Sequence, residues 1–178
     1  MLKIALLGTD STHSDVYANL LNCTYKFPLA SVHSIWGENY EETCKKAKKY
    51  NIKNVFNNVD KAIEGSDIVI ICSRYGEDHY LPAVASLRAK KPTFVDKPFV
   101  KSFNEANELS KLAKKNKIPL VSFSPLRFAD ELINVRKNID NLGSISGIIV
   151  NGPANSKIIN EKKSKNIFYY GIQAVDIM

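Results

Sequence analysis

Thr93-Phe94-Val95-Asp96-Lys97-Pro98-Phe99 decides how the rest of this sequence is read. An apolar run feeds into an acid, a lysine and a proline, and a serine-led helix signal follows at Ser102. With Thr93–Val95 as a buried strand, Asp96 and Lys97 fall at its carboxyl end, the edge at which open parallel sheets bind ligands. Pro98 biases Lys97 toward extended backbone, because the proline ring crowds the helical conformation of the residue before it. It also admits a cis Lys97–Pro98 bond. Two readings of the lysine stand side by side: an aimed functional group, or an ordinary solvated loop cation.

Outward from that stretch, strand and helix alternate. Lys3–Gly8 reads as a strand closed by a tight turn, and Ser14–Asn22 as a helix with Val16, Tyr17, Leu20 and Leu21 at helical spacing. Leu29–Trp36 is a second strand, Tyr40–Tyr50 a basic helix, Val55–Phe56 a brief third strand, and Val59–Glu64 a short helix stopped by Gly65. Asp67–Cys72 is a strongly apolar strand, and His79–Arg88 a helix with Pro82 tolerated near its start. Ser102–Asn116 is amphipathic, and Leu120–Phe123 is a sixth strand. This order predicts an α/β fold, a doubly wound parallel sheet of the Rossmann type over residues 1–123. The pattern changes in 124–178, where a helix over Phe128–Ile139, a strand over Ile145–Val150 and a polar loop over Asn151–Ser156 are expected. A charged segment at Glu161–Lys165 and an apolar aromatic stretch from Ile167 follow. One helix, strand and helix make a poor core, so this part reads as an incomplete α/β second domain.

The 178 residues carry a net charge of +7, but the lysines spread over helical faces such as Lys45, Lys46, Lys48 and Lys49. They read as solvated, which argues against nucleic-acid binding. No apolar run approaches a membrane span of about 20 residues. Cys23, Cys44 and Cys72 are isolated and odd in number, which argues against disulfides and metal and for the cytoplasm. Between the first strand and helix, Gly8-Thr9-Asp10-Ser11-Thr12-His13 occupies the place of a dinucleotide-binding G-x-G-x-x-G loop. Only Gly8 is kept. Asp10 stands at the second glycine and His13 at the third. Asp10 either sets a carboxylate near a pyrophosphate or, like Ser11, caps the helix. His13 either touches phosphate or packs. An acid that grips the adenosine ribose belongs after the second strand, where Gly37 stands, with Glu38 one residue late.

Gly8, Cys72-Ser73 ahead of His79, Asp96-Lys97-Pro98, Arg127-Phe128, Gly143-Ser144-Ile145 and Gly171-Ile172-Gln173 occur in an order that resembles the glucose-fructose oxidoreductase, inositol dehydrogenase and MocA family. The likeness covers essentially the whole chain. It implies NAD or NADP held by Gly8, Thr9, Asp10, Thr12, His13, Glu38, Ser73, Arg74, Asp96 and Lys97, and hydride transfer at a sugar- or cyclitol-like hydroxyl. It also implies a second domain that holds substrate and mediates homo-oligomerisation. Lys97 matches the lysine that hydrogen-bonds the reacting hydroxyl, and His79 is expected to pack at the start of its helix. Gln173 stands where a general acid/base histidine is usual, and an amide does not exchange a proton near neutral pH. Tyr169 stands at the usual aspartate; it or Tyr170 is a proton donor or packs. Asp176 either supports a site residue from behind or faces solvent from its helix. These departures favour weak or lost cofactor binding, and a non-catalytic scaffold protein is the alternative to an oxidoreductase.

Overall fold

The computed structural model describes residues 1–24, 26–152, 154 and 168–178. They form two compact units, residues 1–122 and 123–178.

The first unit runs β1 (Leu2–Leu7), α1 (Thr12–Asn22), β2 (Ala30–Trp36), α2 (Tyr40–Lys49), β3 (Asn54–Phe56), α3 (Val59–Glu64) and β4 (Ile68–Ile71). It continues with α4 (Tyr80–Arg88), β5 (Thr93–Val95), α5 (Phe103–Asn116) and β6 (Leu120–Ser122). All six strands are parallel, in the order β3-β2-β1-β4-β5-β6. Side chains alternate across a strand, so Ala5 and Leu7 enter one core with Val69, Ile71, Val95, Leu87 and Leu109. Leu6 enters the other with Val32, Ile35, Ala18 and Ala47. Burial on both faces is why these strands read as continuous apolar runs.

The strand order reverses between β1 and β4, the kind of place where a doubly wound sheet opens a crevice. Its carboxyl edge is stitched together by backbone bonds. Gly8 N–H donates to Trp36, Cys72 N–H to Leu7 and Asp96 N–H to Ile71, each at 2.8 Å. Gly8, Cys72 and Asp96 therefore share one edge, as the sequence predicts.

The second unit holds a 3-10 turn at Pro125–Phe128, α6 (Asp130–Lys137), a 3-10 turn at Ile139–Leu142 and α7 (Phe168–Ile177). The helix expected over Phe128–Ile139 is shorter, because Ala129 is extended (φ −62°, ψ 139°) and separates Phe128 from it. Phe128 instead packs edge-on against Phe123, ring centroids 5.0 Å apart. The strand expected over Ile145–Val150 is not formed. A strand draws its hydrogen bonds from a neighbour, and among the described residues of this unit there is no second strand. Asp176 is 9 % exposed at its side chain rather than facing solvent. It pairs with Arg127 and accepts the Ser124 N–H at 2.5 Å. Half of the expected loop at Asn151–Ser156 and all of Glu161–Lys165 lie outside the described residues.

Candidate functional site

Among the described residues, three α-helices begin with side-chain caps. Asn39 accepts from Glu42 N–H at α2, Asn58 from Lys61 N–H at α3, and Ser102 from Glu105 N–H at α5. At α1 the residue before the helix is Ser11, and its hydroxyl makes no cap bond. It donates to the Cys72 carbonyl at 2.5 Å instead. Asp10 does not cap α1 either: its Oδ1 accepts the Arg74 N–H at 3.0 Å. The expectation that Asp10 or Ser11 caps this helix is corrected. Both side chains tie the loop to the end of β4, and the amino end of α1 keeps N–H groups and a positive dipole end that suit an anion.

The loop is braced from α2. Lys46 Nζ donates to the carbonyls of Thr9 (2.8 Å) and Ser11 (3.3 Å), to Ser14 Oγ (2.5 Å) and to Asp15 Oδ2 (2.9 Å). Its side chain is 12 % exposed, so reading it as part of a solvated helix face is also corrected. Thr12 lines the hollow beside it, with Asp15, Lys45 and Lys49. Burial pushes the Asp15 carboxyl up, but bonds from Lys46 and Tyr50 outweigh this and hold it below its ordinary value.

A cavity of about 340 Å³ opens between Gly8, Thr9, Asp10, Glu38, Asn39, Glu42, Ser73 and Asp78. Gly8 has φ +89°, and a Cβ there would lie 2.4 Å from the Ser73 nitrogen, so close passage of the two backbones requires glycine. Gly37 has a different cause. A Cβ on it would lie 1.9 Å from Thr9 Oγ1 and 2.6 Å from Thr43 Oγ1. The two threonine hydroxyls are hydrogen-bonded at 3.0 Å and fill the space that an acid at position 37 would need. Glu38 and Glu42 bring carboxylates to the same cavity.

Asp96 and Lys97 follow β5 on the same edge. Asp96 is 2 % exposed. Its Oδ1 accepts the Lys97 N–H at 2.8 Å, and its Oδ2 is bound by His13 Nδ1. The loop's third-glycine position and the lysine triplet thus meet on one carboxylate. The Lys97–Pro98 bond is cis. His79 is fully buried, with Nδ1 2.9 Å from the Pro98 carbonyl and Nε2 2.8 Å from that of Ser73, which ties the two loops together. Burial lowers the Lys97 ammonium's pKa, opposed by the Asp96 charge. Arg74 lies over the Tyr75 ring at 5.6 Å.

Gln173 and Tyr169 belong to α7, in the other unit. Gln173 is half-buried, and Tyr169 packs edge-on against Tyr170 at 5.0 Å between centroids. Among the described residues no group of three or more His, Cys, Asp or Glu side chains converges on a metal position, and no helix is long and apolar enough to cross a membrane. Sequence reasoning missed the Lys46 brace, the Thr9–Thr43 plug and the His13–Asp96 contact, which join residues 31 to 83 positions apart. Pairings at that range have no local signal.

A parallel sheet with a switch point, a glycine turn, an uncapped helix start and an adjacent cavity define a dinucleotide-binding α/β protein. Residues 2–123 match the GFO_IDH_MocA family, described as an oxidoreductase family with an NAD-binding Rossmann fold, and the chain belongs to it. An uncharacterised oxidoreductase of Schizosaccharomyces pombe is 28 % identical over 143 residues, 79 % of this chain and 38 % of the relative. This chain thus spans about two-fifths of that relative's length. GenD2 from gentamicin A biosynthesis, solved in complex with NAD, superposes with a TM-score of 0.80 at 16 % identity, over 99 % of this chain and 52 % of that one. Scyllo-inositol dehydrogenase from Lactobacillus casei, solved with NAD(H) and scyllo-inositol, gives 0.69 at 16 % identity, over 79 % and 41 %. At these identities the two structures speak for the fold.

Two outcomes follow from this geometry. Gly37→Asp destabilises by about 1–3 kcal/mol through overpacking. The double variant Thr9→Gly/Gly37→Asp loses less than the sum of the single losses; strict additivity in urea midpoints would contradict the plug. Lys97→Met raises the unfolding midpoint at pH 7, since the half-buried ammonium is charged at a cost there. A cation whose folded pKa is lowered is relieved of that cost as pH rises through the folded value toward the ordinary one, so the gain shrinks toward alkaline pH. A gain that grows with pH would refute it.

Proposed function

We propose that this chain binds NAD(H) and serves hydride transfer at a sugar- or cyclitol-like hydroxyl, with Lys97 polarising that hydroxyl. The observation that carries the reading is Asp96. It holds Lys97 at the carboxyl edge and, through His13, joins it to the loop that opens α1. The present residues fit the cofactor. The amino end of α1 suits the pyrophosphate, Gly8 allows backbone approach, and Glu38 beside Asn39 suits the adenosine ribose. Asp10 is turned to the Arg74 amide, which spends its charge on the protein and softens the repulsion expected at a phosphate. When bound, the nicotinamide supplies the hydride-accepting carbon. Lys97 donates a hydrogen bond to the substrate oxygen, and the buried Asp96 keeps its backbone in place.

Glu38 and Glu42 favour NAD over NADP, because a 2′-phosphate would meet two carboxylates. The substrate class is supported by the similarity to scyllo-inositol and myo-inositol dehydrogenases. A cytoplasmic location is supported by Cys23, Cys44 and Cys72 all being free. Gln173 favours a second reading, a scaffold that binds NADH without turnover, since its amide accepts no proton.

Calorimetric titration is the test. NADH is expected to bind saturably and NADPH about tenfold or more weakly, since each of two like charges at about 4 Å costs about 1 kcal/mol even in bulk water. Absence of NADH binding overturns the reading. Binding without NADH formation from any sugar or cyclitol gives the chain to the scaffold reading, whereas formation lost on Lys97→Ala gives it to the enzyme. The same reading includes self-association. Ile145 and Ile148 are about half exposed and Ile149 is 89 % exposed, more apolar surface than a lone unit retains comfortably. Light scattering should show a species larger than the monomer; a monomer at all concentrations contradicts this part.

A further inference from the structure

We propose that His13 is the proton acceptor of the reaction, with Asp96 fixing its ring so that Nε2 is presented to the substrate hydroxyl. This rests on the dehydrogenase reading above and supplies the base that Gln173 does not. Oxidation of an alcohol needs two departures. The C–H bond breaks and its hydrogen would leave with both bonding electrons, as hydride, for an oxidised cofactor. The O–H bond breaks, its electrons close the carbonyl, and its proton must go to a protein group. In the first unit that proton needs an acceptor beside Lys97.

The groups around Asp96 narrow the choice. Tyr17 has its hydroxyl pKa pushed well up, by burial first and then by the Asp96 charge, so it holds its proton. Cys72 is fully buried, and burial followed by the Asp96 charge raises its thiol too. The Asp96 carboxylate is enclosed and already bound at both oxygens. His79 is fully buried, with both nitrogens against carbonyls. His13 differs from all of these. Its side chain is 35 % exposed, against 3 % for that of Asp96. Only Nδ1 faces the carboxylate.

An acceptor-only carboxylate selects the tautomer with a proton on Nδ1, because that nitrogen must donate. Nε2 then carries the lone pair. The same logic orients the base in hydrolytic triads, where the acid holds the ring and does not itself take the proton. The shared carboxylate is what brings base and polarising group together: one oxygen fixes the His13 ring, and the other fixes the backbone of Lys97. His13 also sits on the first turn of α1, beside the helix end that suits the pyrophosphate. It shares the carboxyl edge of the sheet with Asp96 and the Lys97 backbone.

Nitrogen-15 NMR of the full chain at neutral pH tests this, read with and without NADH, with calorimetry on the same sample. The expected result is a His13 ring protonated at Nδ1 and bare at Nε2, whose Nε2 resonance moves on NADH addition while the His33 ring does not. The ring is assigned by its loss in His13→Gln. A proton on Nε2 overturns the proposal, since that nitrogen then accepts nothing. An Nδ1 tautomer that is blind to NADH, when calorimetry shows NADH bound, overturns it as well. Calorimetry that detects no NADH binding brings down the dehydrogenase reading and this one with it, and is told apart from the other two outcomes by the missing heat. If His13→Gln fails to fold, selective labelling of histidine in the unaltered chain gives the same assignment by contact with Asp96.

Discussion

Asp96 is a carboxylate enclosed by protein, and an ion so enclosed persists only where donors meet its oxygens. That requirement organises the carboxyl edge. One oxygen takes the Lys97 amide and the other takes His13, reaching from α1 across to β5. Its own amide is spent on Ile71 of β4. Helix, strand and lysine loop are thereby joined at one residue, which Tyr17 and Cys72 also sense. His79 repeats the device nearby, tying the Pro98 and Ser73 carbonyls together from a fully buried position.

The sheet was legible because its signal is local. Ala5 to Leu7 and Ile68 to Ile71 must be apolar on both sides to lie between two helical layers, and that shows in any short window. Gly8 was legible as the end of such a run. Ile145–Val150 misled for the same reason in reverse. Its residues have the composition of a strand, but a strand is completed by a partner that composition does not contain. Lys46 was hidden by its neighbours: amid Lys45, Lys48 and Lys49 nothing in the sequence marks the one that turns inward to Thr9 and Ser11.

The departures from the glycine-loop pattern are connected rather than random. Thr9 fills the space over Gly37 and crowds an acid out of position 37, while Glu38, one residue on, is among the acids that line the cavity. Asp10 replaces a glycine yet is occupied by the Arg74 amide, and His13 replaces another yet is occupied by Asp96. Each of these two polar replacements has a specific partner in the segment that follows β4 or β5.

If this edge is a dinucleotide site in spite of those replacements, NADH makes contact along it. Mapping backbone amide shifts during NADH titration tests it most directly. The expected shifts concentrate at Gly8–Ser14, Glu38–Asn39, Ser73–Arg74 and Asp96–Lys97, all on one edge of the sheet. Saturating NADH that moves none of these amides, or moves only those around Lys45 and Lys49, would contradict it.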